Sequence, residues 1–113
     1  MTAEEVFDDL AHKYGDDFTW RMLPFTNKSF VRELRRELGE GHYFLNNPIY
    51  AVAKCDANDD VLYGCGREDG KDVYYVFHLT WQANNQAGYP KRKKLVGIDA
   101  VREYIENDYL SSR

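Results

Sequence analysis

IYAVAKCDANDDVLYGCGREDGKDVYYVFHLTW, Ile49 to Trp81, is where the chain leaves a helical apolar period for an alternating one. Three β-type runs, IYAVAKC, VLYGCGR and DVYYVFHLTW, are separated by DANDD and EDGK, and both separators have turn chemistry suited to antiparallel hairpins. A β-meander is expected. In its last run, alternation sets Tyr75, Phe77, Leu79 and Trp81 on one face and Tyr74, Val76, His78 and Thr80 on the other. The first set is the more apolar and is expected under the helices. The second then belongs to the less covered face, which makes Tyr74, His78 and Thr80 candidate binding residues.

Helical patterns precede the meander. Thr2 and Glu5 have capping-box spacing, and Val6, Phe7, Leu10, Ala11 and Tyr14 recur on one stripe until Gly15. The mixed stretch DDFTWRMLPF reads as an irregular connection that tucks Phe18, Trp20 and Leu23 against the core. Thr26 or Asn27 can cap a second helix with Phe30, Val31, Leu34 and Leu38 inward and Arg32, Glu33, Arg35, Arg36 and Glu37 outward, ending at Gly39. GEGHYFLNNP is expected as a loop presenting His42. After Trp81 the polar stretch QANNQAGYP leads to KRKKLVG, a short fourth strand, and Asp99 is expected to cap a last helix carrying Val101, Tyr104, Ile105 and Tyr109. The order implies one α+β domain over residues 1–113: two N-terminal helices, a three- to four-stranded antiparallel meander, and a C-terminal helix packed on one sheet face.

At 113 residues, 43% hydrophobic and 30% charged, the chain has the composition of a globular domain able to bury one core. Its net charge of −4 disfavours general binding to nucleic acid or to membrane phosphates. The start MTAEEVFDDL lacks a secretory pattern and no long apolar span occurs, so a cytoplasmic location without membrane contact is expected. Folding the hairpin within DANDD pairs Cys55 with position 61 or 62 and leaves Cys65 opposite Val52 or Ala51. The two sulfurs then stand about four residues apart along the ladder, roughly 13 Å at the usual strand rise, beyond disulfide reach. Two reduced, mostly buried thiols are expected.

The chemistry available is sparse. DANDD spaces oxygens as the start of a calcium loop does, but Val61 occupies the glycine position and Arg67 the bidentate-glutamate position, so a turn is the better reading. Neither zinc-type ligand spacing nor a serine or cysteine nucleophile motif is present, and no metal or other cofactor is expected. Two imidazoles, His42 and His78, have the chemistry of an acid and base pair for cleaving phosphodiesters, with the cations of Lys91, Arg92, Lys93 and Lys94 to hold a phosphate. The same basic run, following Tyr89 and Pro90, has the makings of a grip on single-stranded RNA or an acidic protein surface. It also suits the protection of an edge strand against aggregation.

The strand-end H-L-T-W at His78 to Trp81, with A-K-C at Ala53 to Cys55, D-D-V-L at Asp59 to Leu62 and G-Y-P at Gly88 to Pro90, resembles a group of small, uncharacterised bacterial proteins. The resemblance covers roughly the last two-thirds of the chain. It implies the meander and terminal helix, and it carries over no catalytic residue.

Small size, acidic balance and nine tyrosines lead to the expectation of a non-enzymatic bacterial interaction protein, such as an antitoxin-like immunity protein or a small regulatory protein. It would bind a protein partner through Tyr74, His78, Thr80, His42, Tyr89 and Lys91 to Lys94, with a homodimer as a further option. The alternatives are a small phosphodiester-cleaving or RNA-processing enzyme using His42 and His78, and a passive nucleic-acid-binding module using Lys91 to Lys94.

Overall fold

The computed structural model describes residues 2–24, 26–38, 48–81 and 91–111, with only the backbone of Lys91. Helix α1 (Ala3–Tyr14) is followed by a 3-10 turn (Gly15–Asp17), strand β1 (Trp20–Met22), helix α2 (Ser29–Leu38), strands β2 (Tyr50–Cys55), β3 (Asp60–Glu68), β4 (Lys71–His78) and β5 (Lys91–Val96), and helix α3 (Ile98–Ser111). The strands form one antiparallel sheet in the order β1-β2-β3-β4-β5. The α+β class holds, and KRKKLV is the expected further strand. The sheet nevertheless has five strands, because Trp20–Met22, read from sequence as irregular, pairs with Cys55, Lys54 and Ala53.

Local chemistry sets most element ends. The Thr2 backbone N–H donates to Glu5 Oε1 at 3.0 Å and the Glu5 N–H to Thr2 Oγ1 at 3.1 Å, closing the capping box of α1. Gly15, at φ 73°, ends that helix. Asn27 Oδ1 accepts from the Ser29 N–H at the start of α2. Asp69 and Gly70, both at positive φ, form the two-residue turn between β3 and β4. Asp99 does not cap α3 as expected: the helix begins one residue earlier, after Gly97 at φ 86°, and Asp99 lies in its first turn.

The sheet is covered on both faces, which corrects the expectation of one covered face. Tyr74, Val76, Leu62, Val52 and Leu95 pack with Val6, Phe7 and Leu10 of α1 and Val101, Ile105 and Tyr109 of α3. On the other side Val61, Tyr63, Phe77 and Leu79 pack beneath Leu34 of α2, with Phe30, Val31 and Leu38 at the margin. Tyr63 donates its hydroxyl to the Phe30 carbonyl at 2.8 Å, fixing α2 over β3. Trp20 Nε1–H donates to Asp108 at 2.9 Å, tying β1 to α3. Trp81, expected on a covered face, lies beyond the end of β4 and is 48% exposed.

Two bulges set the registers. In β2 the pairing slips by one residue between Ala51 and Ala53, and in β3 it slips between Gly64 and Arg67, where Gly66 has φ 98°. As a result Cys55 and Cys65 are not placed as the simple hairpin predicts, since Ala51 pairs with Tyr63 and Tyr50 with Gly64. Both thiols are free, as expected. No helix among the described residues is long and apolar enough to cross a membrane.

Two-sided burial makes a direct demand on stability. Leu10 and Leu34 are each fully buried, one on either side of the sheet. Leu34→Ala and Leu10→Ala are each expected to cost about 2–5 kcal/mol in denaturant-induced unfolding. A Leu34→Ala variant as stable as the wild type would mean that α2 does not cover the sheet.

Candidate functional site

The residues singled out from sequence separate into three places. Tyr74, near the start of β4, is 4% exposed and lies on a sheet face that α1 and α3 cover. The apolar faces of two helices reach it, where a single helical layer was expected on the opposite side. Thr80 lies past the far end of β4 against α2. His78 stands at the last position of β4, paired with Asp60 of β3 and Lys91 of β5. His42 and Tyr89 fall outside the described residues, as does the side chain of Lys91.

His78 Nδ1 lies 2.8 Å from Asp60 Oδ1, with side-chain exposures of 52% and 14%. A carboxylate oxygen accepts, so Nδ1 carries the proton and Nε2 is the ring atom left to meet another molecule. Leu79 N–H donates to the Asp59 carbonyl and holds the strand end against the preceding turn. Burial, followed by the nearby Asp60 and Asp108 carboxylates, pushes the Tyr104 phenol of α3 up from its ordinary range. Asp60 escaped the sequence reading because the EDGK turn alone would pair Val61 with His78. The bulge at Gly66, a glycine inside a strand pattern, moves the partner by one.

The cations lie on the neighbouring strand β5. Lys93 pairs with Val76, Arg92 with Phe77 and Lys94 with Tyr75, and all three side chains are exposed along the last strand of the sheet. Lys94 Nζ reaches Glu68 at 2.7 Å. The structure thus brings His78 together with the Lys91 to Lys94 strand while placing Tyr74 and Thr80 elsewhere. Neither cysteine joins this chemistry: burial pushes the Cys65 thiol up to about 12 and raises that of Cys55, the opposite of what a thiolate nucleophile needs.

Thr80 belongs to a polar contact that the sequence reading assigned to solvent. Glu37 is 2% exposed, not outward-facing. Its Oε1 accepts from the Thr80 N–H and hydroxyl, both at 2.7 Å, and its Oε2 from the Trp81 N–H at 2.9 Å. Trp81 has φ 62°, and its ring meets Phe30 edge-on at 6.2 Å. The chain leaves the ladder at this point, and a carboxylate supplies the acceptors that a strand would have supplied. A buried acceptor on α2 is not visible in a helix written S-F-V-R-E-L-R-R-E-L, where Glu37 has the ordinary spacing of a solvated face.

The chain matches no family model, and comparison with curated proteins and solved structures gives no match.

Desolvation, then the hydrogen bond that the protonated group donates to neighbouring Glu33, raises the Glu37 carboxyl above its ordinary range. The native state therefore holds this proton more tightly than the unfolded chain. The stability it contributes is full below the ordinary carboxylate range and is lost as pH rises through the higher native value. Glu33 moves the other way, lowered by its bonds to Glu37 and Arg36 against the opposing effect of burial, so its contribution is lost below the ordinary range. Glu37→Gln is expected to flatten the decline in unfolding free energy on the alkaline side of the carboxylate range, measured by denaturant titration across pH. Glu37→Ala, which strands two backbone donors, is expected to cost about 2–4 kcal/mol. A Gln variant that keeps the wild-type slope would assign the pH dependence to other groups.

Proposed function

We propose that this chain is a non-enzymatic interaction protein that binds a protein partner along the outer edge of β5. The observation that carries the reading is that β5 ends the sheet and presents exposed cations on a chain of net charge −4. The outer side of an edge strand offers backbone donors and acceptors that no described strand uses, and an added strand satisfies them. Arg92 and Lys93 select the partner by charge, with Lys94 held by Glu68, so an acidic extended segment fits the edge. Pairing two copies of β5 sets cations against cations, which favours such a partner over a homodimer. His78, half-exposed at the end of β4, adds a hydrogen-bonding group beside the same edge.

An antitoxin-like immunity protein or a small bacterial regulatory protein would use such an edge, and the two free thiols suit a reducing cytoplasm. Charge complementarity of this kind raises association rates and weakens with salt. An extended peptide alternating Glu with β-branched residues is expected to slow amide exchange in residues 91–96. Lys93→Glu combined with Arg92→Glu should reduce its affinity by about tenfold or more, roughly 1.4 kcal/mol. Equal binding by the reversed-charge variant, or protection confined to other strands, would remove this reading.

A second reading draws on the Asp60–His78 pair, which has the carboxylate and imidazole arrangement of a general base. A phosphodiester-cleaving or RNA-processing enzyme would need a second group to protonate the leaving oxygen, the role expected of His42. It requires measurable hydrolysis of a simple phosphodiester that His78→Ala abolishes without unfolding the protein. Hydrolysis that survives this substitution excludes His78 as the base. A passive nucleic-acid module would instead show binding to single strands that falls steeply with salt.

A further inference from the structure

Near the other end of the sheet, Tyr50, Gly64, Tyr74 and Leu95 form a row across β2, β3, β4 and β5. A methyl group on Gly64 would overlap the ring of Tyr50, so the missing side chain is what lets Tyr50 lie over β3. Above this row is a groove of about 580 Å³ between the first turns of α1 and α3, bounded by Lys71 and Asp72 at the start of β4. A second arm of about 440 Å³ shares Tyr50 and Tyr74 and runs along Met22, Leu23 and Val52. The size is that of a small-molecule site.

Tyr74 is the informative residue. The residue is largely buried and lines the groove, and its hydroxyl, which keeps access to solvent, makes no hydrogen bond to a described residue. A phenol whose ring is held in the core and whose hydroxyl meets no protein acceptor offers its proton to whatever occupies the cavity it lines, water or a ligand acceptor. Burial first, then Tyr50 and Asp72, hold the Tyr74 phenol up at about 12, and burial and Asp72 raise that of Tyr50. Both hydroxyls therefore hold their protons and are available as donors.

The charges around the groove narrow the ligand. Lys71 lays its stem against Gly97, its Cδ 3.5 Å from where a Cβ would stand, and the residue lines the polar arm. Glu4 and Asp99 line the same arm from the first turns of α1 and α3. Arg67, 3.4 Å from Asp72, is already balanced. Three carboxylates against two cations leave no excess positive charge for a dianion such as phosphate. A head that is both anionic and cationic suits this lining, and the Met22–Leu23–Val52 arm suits an apolar tail.

We propose that the groove binds a small zwitterion with an apolar tail, the chemistry of a free apolar α-amino acid. Its carboxylate accepts from the Tyr50 and Tyr74 hydroxyls and from Lys71, its ammonium faces Glu4 and Asp99, and its tail lies along Met22, Leu23 and Val52. The site is separate from the cation-bearing edge and does not depend on the protein-binding reading.

Nuclear magnetic resonance titration with leucine tests it. Saturable shifts are expected at the Tyr50 and Tyr74 rings, while N-acetyl-leucine and leucinamide, each lacking one charge, should bind about tenfold more weakly or worse. Tyr74→Phe keeps the ring and is expected to melt with the wild type while losing affinity about fivefold or more, and Lys71→Gln on the surface should lose affinity likewise. His78→Ala should bind as the wild type does. Tyrosine signals that stay fixed at millimolar leucine would overturn the proposal. A blocked analogue that binds as tightly as leucine, or unchanged leucine affinity in both groove variants, would overturn it as well.

Discussion

Strand β4 is hydrogen-bonded along both edges and packed against helices on both faces, and the other elements arrange themselves around that enclosure. Val73, Tyr74, Val76 and Phe77 are all buried, with Tyr74 and Val76 in the α1–α3 layer and Phe77 beneath α2. A strand enclosed in this way has no room for polar side chains in its middle. They are displaced to its ends: Lys71 and Asp72 at one, His78 at the other, with Thr80 just beyond. Among the described residues, the candidate chemistry of the sheet accordingly lies at its two ends and along the edge strand β5.

The same enclosure explains the buried carboxylate on α2. Helix α2 covers the sheet with a short apolar stripe centred on Leu34, and its C-terminal half reaches the place where β4 gives up its ladder. Thr80 and Trp81 present backbone donors there without a neighbouring strand. Glu37 answers both donors and the Thr80 hydroxyl at once. Desolvating a carboxylate is costly and the neighbouring Glu33 adds to that cost, while the three hydrogen bonds from Thr80 and Trp81 offset part of it. The result is a polar clamp joining α2 to the far end of the central strand.

How much of this was legible in the sequence depends on the range of each cause. Caps and turns are local: the Thr2–Glu5 box and the Asp69–Gly70 turn are written in adjacent residues and form as written. Strand β1 was not legible, because three residues paired to a distant strand carry no period of their own. The faces of β4 were assigned by ranking apolarity, yet Tyr75/Phe77 and Tyr74/Val76 are both apolar enough to be buried. Alternation separates two faces without saying which is covered. Glu37 looked solvated for a similar reason: helical spacing places it beside Leu34 and Leu38 as readily as among the arginines. Of the candidate site residues, the strand pairing gathers His78 and the Lys91 to Lys94 run, while Tyr74 and Thr80 part from them once the strand is seen to be sandwiched.

Both candidate surfaces depend on inserted residues. Counting outward from the Asp69–Gly70 turn without the slip at Gly66, Tyr74 would pair with Cys65 and His78 with Val61. The slip instead sets Gly64 opposite Tyr74 and Asp60 opposite His78. Counting from the DANDD turn, the slip beside Val52 brings Tyr50 opposite Gly64 in place of Cys65. Without these two slips, a side chain at position 65 would fill the space over which the Tyr50 ring lies, and a valine would replace the carboxylate beside the imidazole. A bulge costs ladder hydrogen bonds and conformational freedom, and Gly66 at positive φ limits that cost at one of the two sites. A sheet selected for regular pairing alone gains nothing from either slip, whereas the Tyr50–Gly64–Tyr74 row requires both and the Asp60–His78 pair requires the one at Gly66.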